Sequence, residues 1–201
     1  MPVFRKDSKK ILFVHIPKTG GSSIEAMMKR SGWECGFHRV QPPGFLKITP
    51  QHYHGELLQT IFDINKFDFC FSVVRDPVSR FISEYKYRNK HKYNSQLTTQ
   101  IDINKWAKGV FKKYQKNKSI FDNHLRPQSE FVFPECYIIP FERLADTHQI
   151  LCDITQEKLV SLPHLKKFTF DEKIELNEET NSMLRKIYHE DFNLWDSQEK
   201  T

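Results

Sequence analysis

No stretch of this 201-residue chain approaches the roughly 18 to 20 uninterrupted apolar residues that a bilayer crossing needs. Stable membrane insertion is therefore not expected. The opening Met-Pro-Val-Phe-Arg-Lys-Asp-Ser-Lys-Lys leads into no apolar core of a secretory signal, so a cytoplasmic location is expected if this is the whole gene product. There is no C-x-x-C pair. Cys35, Cys70, Cys136 and Cys152 lie far apart, and Cys70 sits inside an apolar run, a pattern that reads as free thiols rather than a disulfide framework. Internal repeats, low-complexity tracts and convincing linkers are also missing. The length predicts a single domain over 1–201, with 1–10 and 196–201 as loose ends.

What is present is the material for a core: 38% apolar and 13% aromatic residues, a composition that argues against disorder. Lys and Arg number 31 against 25 Asp and Glu, a net charge of +6. That balance favours anionic partners such as phosphate, sulfate, acidic glycans, nucleic acid or lipid head groups, and selects none of them.

Periodicity supplies the elements. Ile11 to Ile16 is a β-branched and aromatic run that reads as a buried central parallel strand, followed by Pro17-Lys18-Thr19-Gly20-Gly21 and a helix to about Arg30. A short strand is expected around Cys35 to Val40, and a short helix carries Leu57, Leu58 and Ile61. A second strong strand, Phe67 to Val74, ends at Arg75-Asp76-Pro77, where Asp76 caps and Pro77 opens a helix to about Asn89. Ile103 to Tyr114 repeats apolar residues at helical spacing. A strand at Tyr137 to Phe141 and helices at about Glu142–Ile154 and Glu178–Phe192 complete the pattern, which is that of α/β layering.

Two segments carry chemistry. A strand that runs through Pro17-Lys18-Thr19-Gly20-Gly21-Ser22-Ser23 into a helix is a phosphate cradle: glycines let backbone N–H groups approach an anion, the helix start adds partial positive charge, and Lys18 adds a full one. It is not the ATP-type loop, because its Lys precedes the two glycines. A turn that merely uses glycine is the plainer alternative. Arg75 closes the second strand, with Ser83 eight residues on. Ligands of open α/β sheets sit at the carboxyl ends of strands, so Lys18 and Arg75 can converge on one ligand with two phosphate groups. Otherwise Arg75 pairs with a local carboxylate and Ser83 faces water.

His15-Ile16-Pro17-Lys18-Thr19-Gly20-Gly21-Ser22-Ser23 resembles the 5′-phosphosulfate loop of sulfotransferases, and the segment from Val73 to Tyr85 resembles their 3′-phosphate segment, in the same order. The likeness is closest to the carbohydrate branch that includes bacterial sulfotransferases and the uronosyl 2-O-sulfotransferases. It continues through His124-Leu125-Arg126-Pro127-Gln128, Phe141-Glu142-Arg143-Leu144, Leu162-Pro163-His164-Leu165 and Tyr188-His189-Glu190-Asp191-Phe192. The resemblance implies a three-layer, P-loop-kinase-like sandwich around a central, mostly parallel sheet. It also implies the donor 3′-phosphoadenosine 5′-phosphosulfate (PAPS), with PAP as product, and a carbohydrate or glycolipid acceptor. Lys18, Thr19, Gly20, Gly21, Ser22 and Ser23 would then hold the 5′-phosphate, and Arg75 and Ser83 the 3′-phosphate.

The acceptor hydroxyl needs a base, and histidine titrates nearest neutrality. Gln51-His52-Tyr53 resembles the bacterial pattern, and Tyr53-His54-Gly55 the uronosyl one, except that Glu56 stands where a second histidine would be. His52, His54 and Glu56 all remain open at this level. His124 and Arg126, with Glu56, are implied at the acceptor rim. A zinc site on His52, His54 and Glu56 lacks a third nitrogen or sulfur ligand nearby, so no metal is expected. The Lys stripe at 105, 108, 112 and 116 reads as a solvated face or an anionic-polymer surface, as does the run of Lys86, Arg88, Lys90 and Lys92 with interleaved tyrosines. Nucleic acid is not the expected partner. The rival functions are a P-loop nucleotide kinase or NTPase, which lacks an evident Mg²⁺-binding acid, and a non-enzymatic polyanion-binding module.

Overall fold

The computed structural model of the protein describes residues 2–38, 41–93, 102–163 and 174–199. Its centre is a sheet that begins earlier than the sequence suggests. Strand β1 (Val3–Lys6) pairs antiparallel with β2 (Lys9–Val14), Val3 opposite Leu12 and Lys6 opposite Lys9. The two-residue link Asp7-Ser8 turns because Asp7 adopts a left-handed φ of 51°, which Asp tolerates better than most residues. Val3 and Phe4 are fully buried. The segment 1–10, expected as a loose end, is thus corrected to an integral strand. It was misread because Val3 and Phe4 pack on opposite faces, so no alternation marks them.

The sheet order is β3 (Glu34–Gly36), β1, β2, β4 (Phe69–Val74), β5 (Tyr137–Pro140). β2–β4 and β4–β5 are parallel, whereas β1 is antiparallel to both neighbours. Four strands therefore run one way and β1 the other. Both faces are covered. Leu12, Val14, Cys70 and Val74 pack with Leu58 of helix α2 (Gly55–Ile61) and with Phe131. Ile11, Phe13, Phe71 and Val73 pack on the opposite face with Ile24, Met27 and Met28 of α1 (Gly21–Arg30) and Leu151 of α5 (Asp146–Thr155). Stacked Phe13 and Phe71, with ring centroids 4.8 Å apart, anchor that second layer, each side chain contributing about 1.5–3 kcal/mol by burial.

A third cluster joins α3 (Pro77–Tyr93), α4 (Ile103–Lys116) and α6 (Glu178–Ile187) through Phe81, Tyr85, Ile103, Ala107, Phe111 and Leu184. Boundaries differ from expectation in three places. A short 3₁₀ turn occupies Phe141–Arg143, so α5 starts at Asp146 and not at 142. The last helix breaks at Tyr188 into α6 and α7 (His189–Glu199). Helix α7 continues beyond 195, so 196–199 are also not a loose end. The expected strand end at 39–40, His164-Leu165, and the side chains of Lys90, Lys92 and Tyr93 lie outside the described residues.

Candidate active site

β2 and β4 are parallel neighbours, so their carboxyl ends open side by side. The chain leaves β2 through His15 and Ile16 and turns with left-handed Lys18 (φ 72°) and Gly20 (φ 88°) into α1. Buried Thr19 holds the turn, its Oγ1 donating to the Ile16 carbonyl at 2.8 Å. Helix α1 starts with no side-chain cap and no acidic residue in its first turn, which leaves the positive end of the helix for an anion. Gly21 has a separate reason to be glycine. A Cβ there would lie 2.2 Å from Nε2 of His15, whose ring already fills that space.

The chain leaves β4 at Arg75. Its amide donates to Oε1 of buried Gln128 at 3.0 Å and its carbonyl accepts from Nε2 of Gln128 at 2.7 Å, so one side chain clamps the strand end from both sides. The Arg75 guanidinium donates to the Lys18 carbonyl at 3.3 Å and lies 4.3 Å over the Phe141 ring. The two anion-type segments therefore touch. Arg80, one turn along α3 and buried, locks them further: Nε donates to the Pro17 carbonyl and Nη2 to the carbonyls of His124 and Arg126, all at 3.0 Å. Its other side faces Asp191 of α7 at 4.0 Å. Asp191 accepts from the amides of Gln128 and Ser129 at 2.8 and 2.9 Å and from the Ser129 hydroxyl at 2.8 Å.

Beside this junction stands a row of imidazoles. His15 and His52 meet edge to face with centroids 5.2 Å apart, and His52 and His124 at 5.0 Å. Nδ1 of each ring rests 2.7 Å from a carboxylate: Glu25 for His15, Asp122 for His52, Glu84 for His124. Glu25 also meets Nε2 of His38 at 2.7 Å with its second oxygen. Burial, outweighing the carboxylate, pushes the pKa of His52 and of His124 down to about 4 and lowers that of His15. The imidazoles are neutral at pH 7. Against the opposing effect of burial, hydrogen bonds from the imidazoles hold Glu25 and Asp122 ionised, with pKa values down to about 2.

The family model described as "Sulfotransferase family" matches residues 1–197. The chain belongs to the sulfotransferase family. No curated protein and no solved structure matched it. The chain is thus an enzyme that transfers a sulfuryl group, and the expected site residues can be placed on a sulfotransferase frame.

In this sulfotransferase, Lys18 extends its ammonium 4.3 Å above the Tyr87 ring, which in turn stacks on His124. Ser22 and Ser23 lie in the first turn of α1, and Ser83 is half-buried on α3. His52 is in the imidazole row and His54 is not. His54 immediately precedes α2 without capping it and, with Glu56, lines a separate 420 Å³ pocket shared with Phe45, Leu46, Ile48 and Leu57. The Nδ1 atom of His54 is buried without a hydrogen-bond partner. His124, expected at the rim, is the third ring of the row and nearly enclosed. Arg126 spends its guanidinium on Asn123 Oδ1 at 3.1 Å and on Glu130. In the Lys stripe, Lys108 pairs with Glu179 at 2.7 Å; beyond the end of α4, Lys118 sits over Tyr114.

Sequence reasoning missed the carboxylates Glu25, Asp122 and Glu84, and the scaffold residues Arg80, Gln128 and Asp191. Arg80, Glu84, Gln128 and Asp191 carried a signal, since they fall inside the quoted family segments, whereas Glu25 and Asp122 did not. Sulfotransferases generally take their sulfuryl group from PAPS. The residues present fit such a donor: an uncapped helix start, left-handed backbone at Lys18 and Gly20, and two cations, Lys18 and Arg75, suit a ligand with two separated phosphates. Among the described residues, no group of three or more His, Cys, Asp or Glu side chains is arranged to hold a metal ion.

Proposed function

We propose that the protein is a PAPS-dependent sulfotransferase that sulfates a hydroxyl of a carbohydrate or glycolipid. Lys18, Thr19, Gly20, Gly21, Ser22 and Ser23 bind the 5′-phosphate, and Arg75 with Ser83 binds the 3′-phosphate. The donor, when bound, supplies a sulfuryl group whose departure leaves negative charge on the 5′-phosphate. In this reading Lys18 and the N–H groups at the start of α1 stabilise that charge more in the transition state than before it. His52 accepts the acceptor's proton: it is neutral at pH 7, and ionised Asp122 beside it stabilises the imidazolium that forms. Glu56 and His54 line a pocket separate from the imidazole row, proposed to hold a part of the acceptor remote from the reacting hydroxyl.

One observation carries this reading. The Arg75 guanidinium reaches the Lys18 carbonyl, so the two segments that the sequence suggested for opposite ends of one nucleotide are in contact. Titration calorimetry with adenosine 3′,5′-bisphosphate (PAP) and with adenosine 5′-monophosphate tests it. PAP should bind more tightly, and Arg75→Ala should weaken PAP by about 10- to 100-fold, the worth of a charged hydrogen bond, while leaving the monophosphate unchanged. Absence of heat with PAP would overturn the donor assignment. Incubation with PAPS and a panel of glycans, glycolipids and small alcohols, read as a sulfate-sized mass gain, tests the acceptor.

A further inference from the structure

Asp122 sits in a strained stretch of backbone that is held by bonds to Thr49 as well as to His52. Phe121, Asp122 and Asn123 are three consecutive left-handed residues, with φ of 55°, 59° and 63°. A non-glycine residue is strained in that region. Such strain persists only where surrounding bonds over-determine it. Here they do: Asn123, fully buried, donates from Nδ2 to the His52 carbonyl at 2.9 Å and accepts from Arg126 Nε at 3.1 Å. Asp122 Oδ1 accepts from the Thr49 amide at 2.6 Å, and its Oδ2 accepts from the Thr49 hydroxyl and meets His52 Nδ1, both at 2.7 Å. The carboxylate is thus fixed against both Thr49 and one imidazole.

We propose that Asp122 is a positioning residue that fixes the tautomer of His52, its Oδ2 accepting a hydrogen bond from Nδ1–H and leaving Nε2 as the bare nitrogen toward the acceptor. The assignment rests on the reading of His52 as base. As the acceptor oxygen bonds to sulfur and the bond from sulfur to the 5′-phosphate oxygen breaks, the hydroxyl proton moves to Nε2, and the Nδ1 proton stays on the ring facing Asp122. His15 and His124 flank His52 on either side, with their carboxylates Glu25 and Glu84 behind them.

The Thr49 amide makes the proposal testable by one isosteric change. In Asp122→Asn the amide N–H of Thr49 still requires an oxygen at the Oδ1 place, so the new NH₂ group must occupy the Oδ2 place. There it donates to His52 Nδ1, which must then give up its proton and leave it on Nε2. The Thr49 hydroxyl can rotate to accept, and Asn tolerates the left-handed backbone.

Long-range ¹H–¹⁵N spectra of histidine-labelled protein, assigned with a His52→Gln control, read the tautomer without any acceptor. Wild-type His52 should carry its proton on Nδ1 across pH 5.5 to 8, and D122N should carry it on Nε2 with an unchanged PAP affinity. With an acceptor found by the panel above, D122N should lower kcat by about 10²- to 10⁴-fold, as the same tautomer change does in a serine protease triad, and leave the donor KM in place. A wild-type Nε2–H signal, or an unaltered tautomer in D122N, would overturn the assignment. Failure of the wild-type protein to bind PAP counts against the donor reading alone, because the wild-type spectrum answers the tautomer question even if the variant misfolds.

Discussion

Two strand-to-helix junctions stand side by side in this protein, and they are built to opposite rules. At the end of β2 the chain enters α1 through glycine, with no side-chain cap and no acid in the first turn. At the end of β4 it enters α3 through Asp76-Pro77, and Asp76 Oδ1 accepts from the Ser79 amide at 2.6 Å. The first helix leaves its positive end uncapped, whereas the second neutralises it with its own carboxylate. An anion at the second junction must therefore be met by a side chain, and Arg75 is the side chain there. The difference explains why one segment is rich in glycine and the other in charge, although both lie on the same edge of the same sheet.

The most disruptive way to break this comparison is Gly21→Ala. The new methyl group would sit on the His15 ring, which Glu25 holds in place, so the turn itself must move. PAP binding should fall below detection by calorimetry, with a stability loss of about 1–3 kcal/mol from overpacking in urea unfolding; affinity within twofold of wild type would show that the cradle does not depend on this packing.

A smaller effect comes from pH. His15, His52 and His124 have pKa values lowered in the folded protein, chiefly by burial. Below the ordinary imidazole value of about 6.5, the unfolded chain binds more protons than the folded one, so stability is full above that pH and is lost as pH falls toward 4. Asp122 and Glu25, lowered to about 2, add a further loss only at more acid pH. The melting temperature should be flat from pH 7 to 8 and drop between 6.5 and 4, and amide exchange should quicken at residues 15–25 before residues 75–85. Equal acceleration at both junctions would show that the imidazole row does not belong to the first.

Asp76→Ala should be the mildest change. Loss of the cap costs about 1 kcal/mol in urea unfolding, with nucleotide affinity retained; a large drop in PAP affinity would mean that the second helix start also serves the ligand.

Much of this was legible in the sequence, because it is local. The β2 and β4 runs, the glycine turn, the Asp76-Pro77 start and the apolar stripes of α3 and α4 each declare themselves within a few residues. Strand β1 did not, since Val3 and Phe4 are buried on both faces and the turn at Asp7-Ser8 contains no glycine. The choice between His52 and His54 was closed to the sequence for a different reason. Their environments are set by residues far away in the chain: Asp122 stands 70 positions from His52, whereas His54 faces the pocket formed with Phe45 and Leu46. Glu84 and His124, 40 positions apart, pose the same difficulty.

The bonds from Asp191 to Gln128 and Ser129 have a consequence for synthesis. Gln128 braces the arginine at the end of β4, and its own backbone is tied down by the last helix. A chain still emerging from the ribosome therefore carries every residue assigned to the nucleotide long before it carries the brace that sets their spacing.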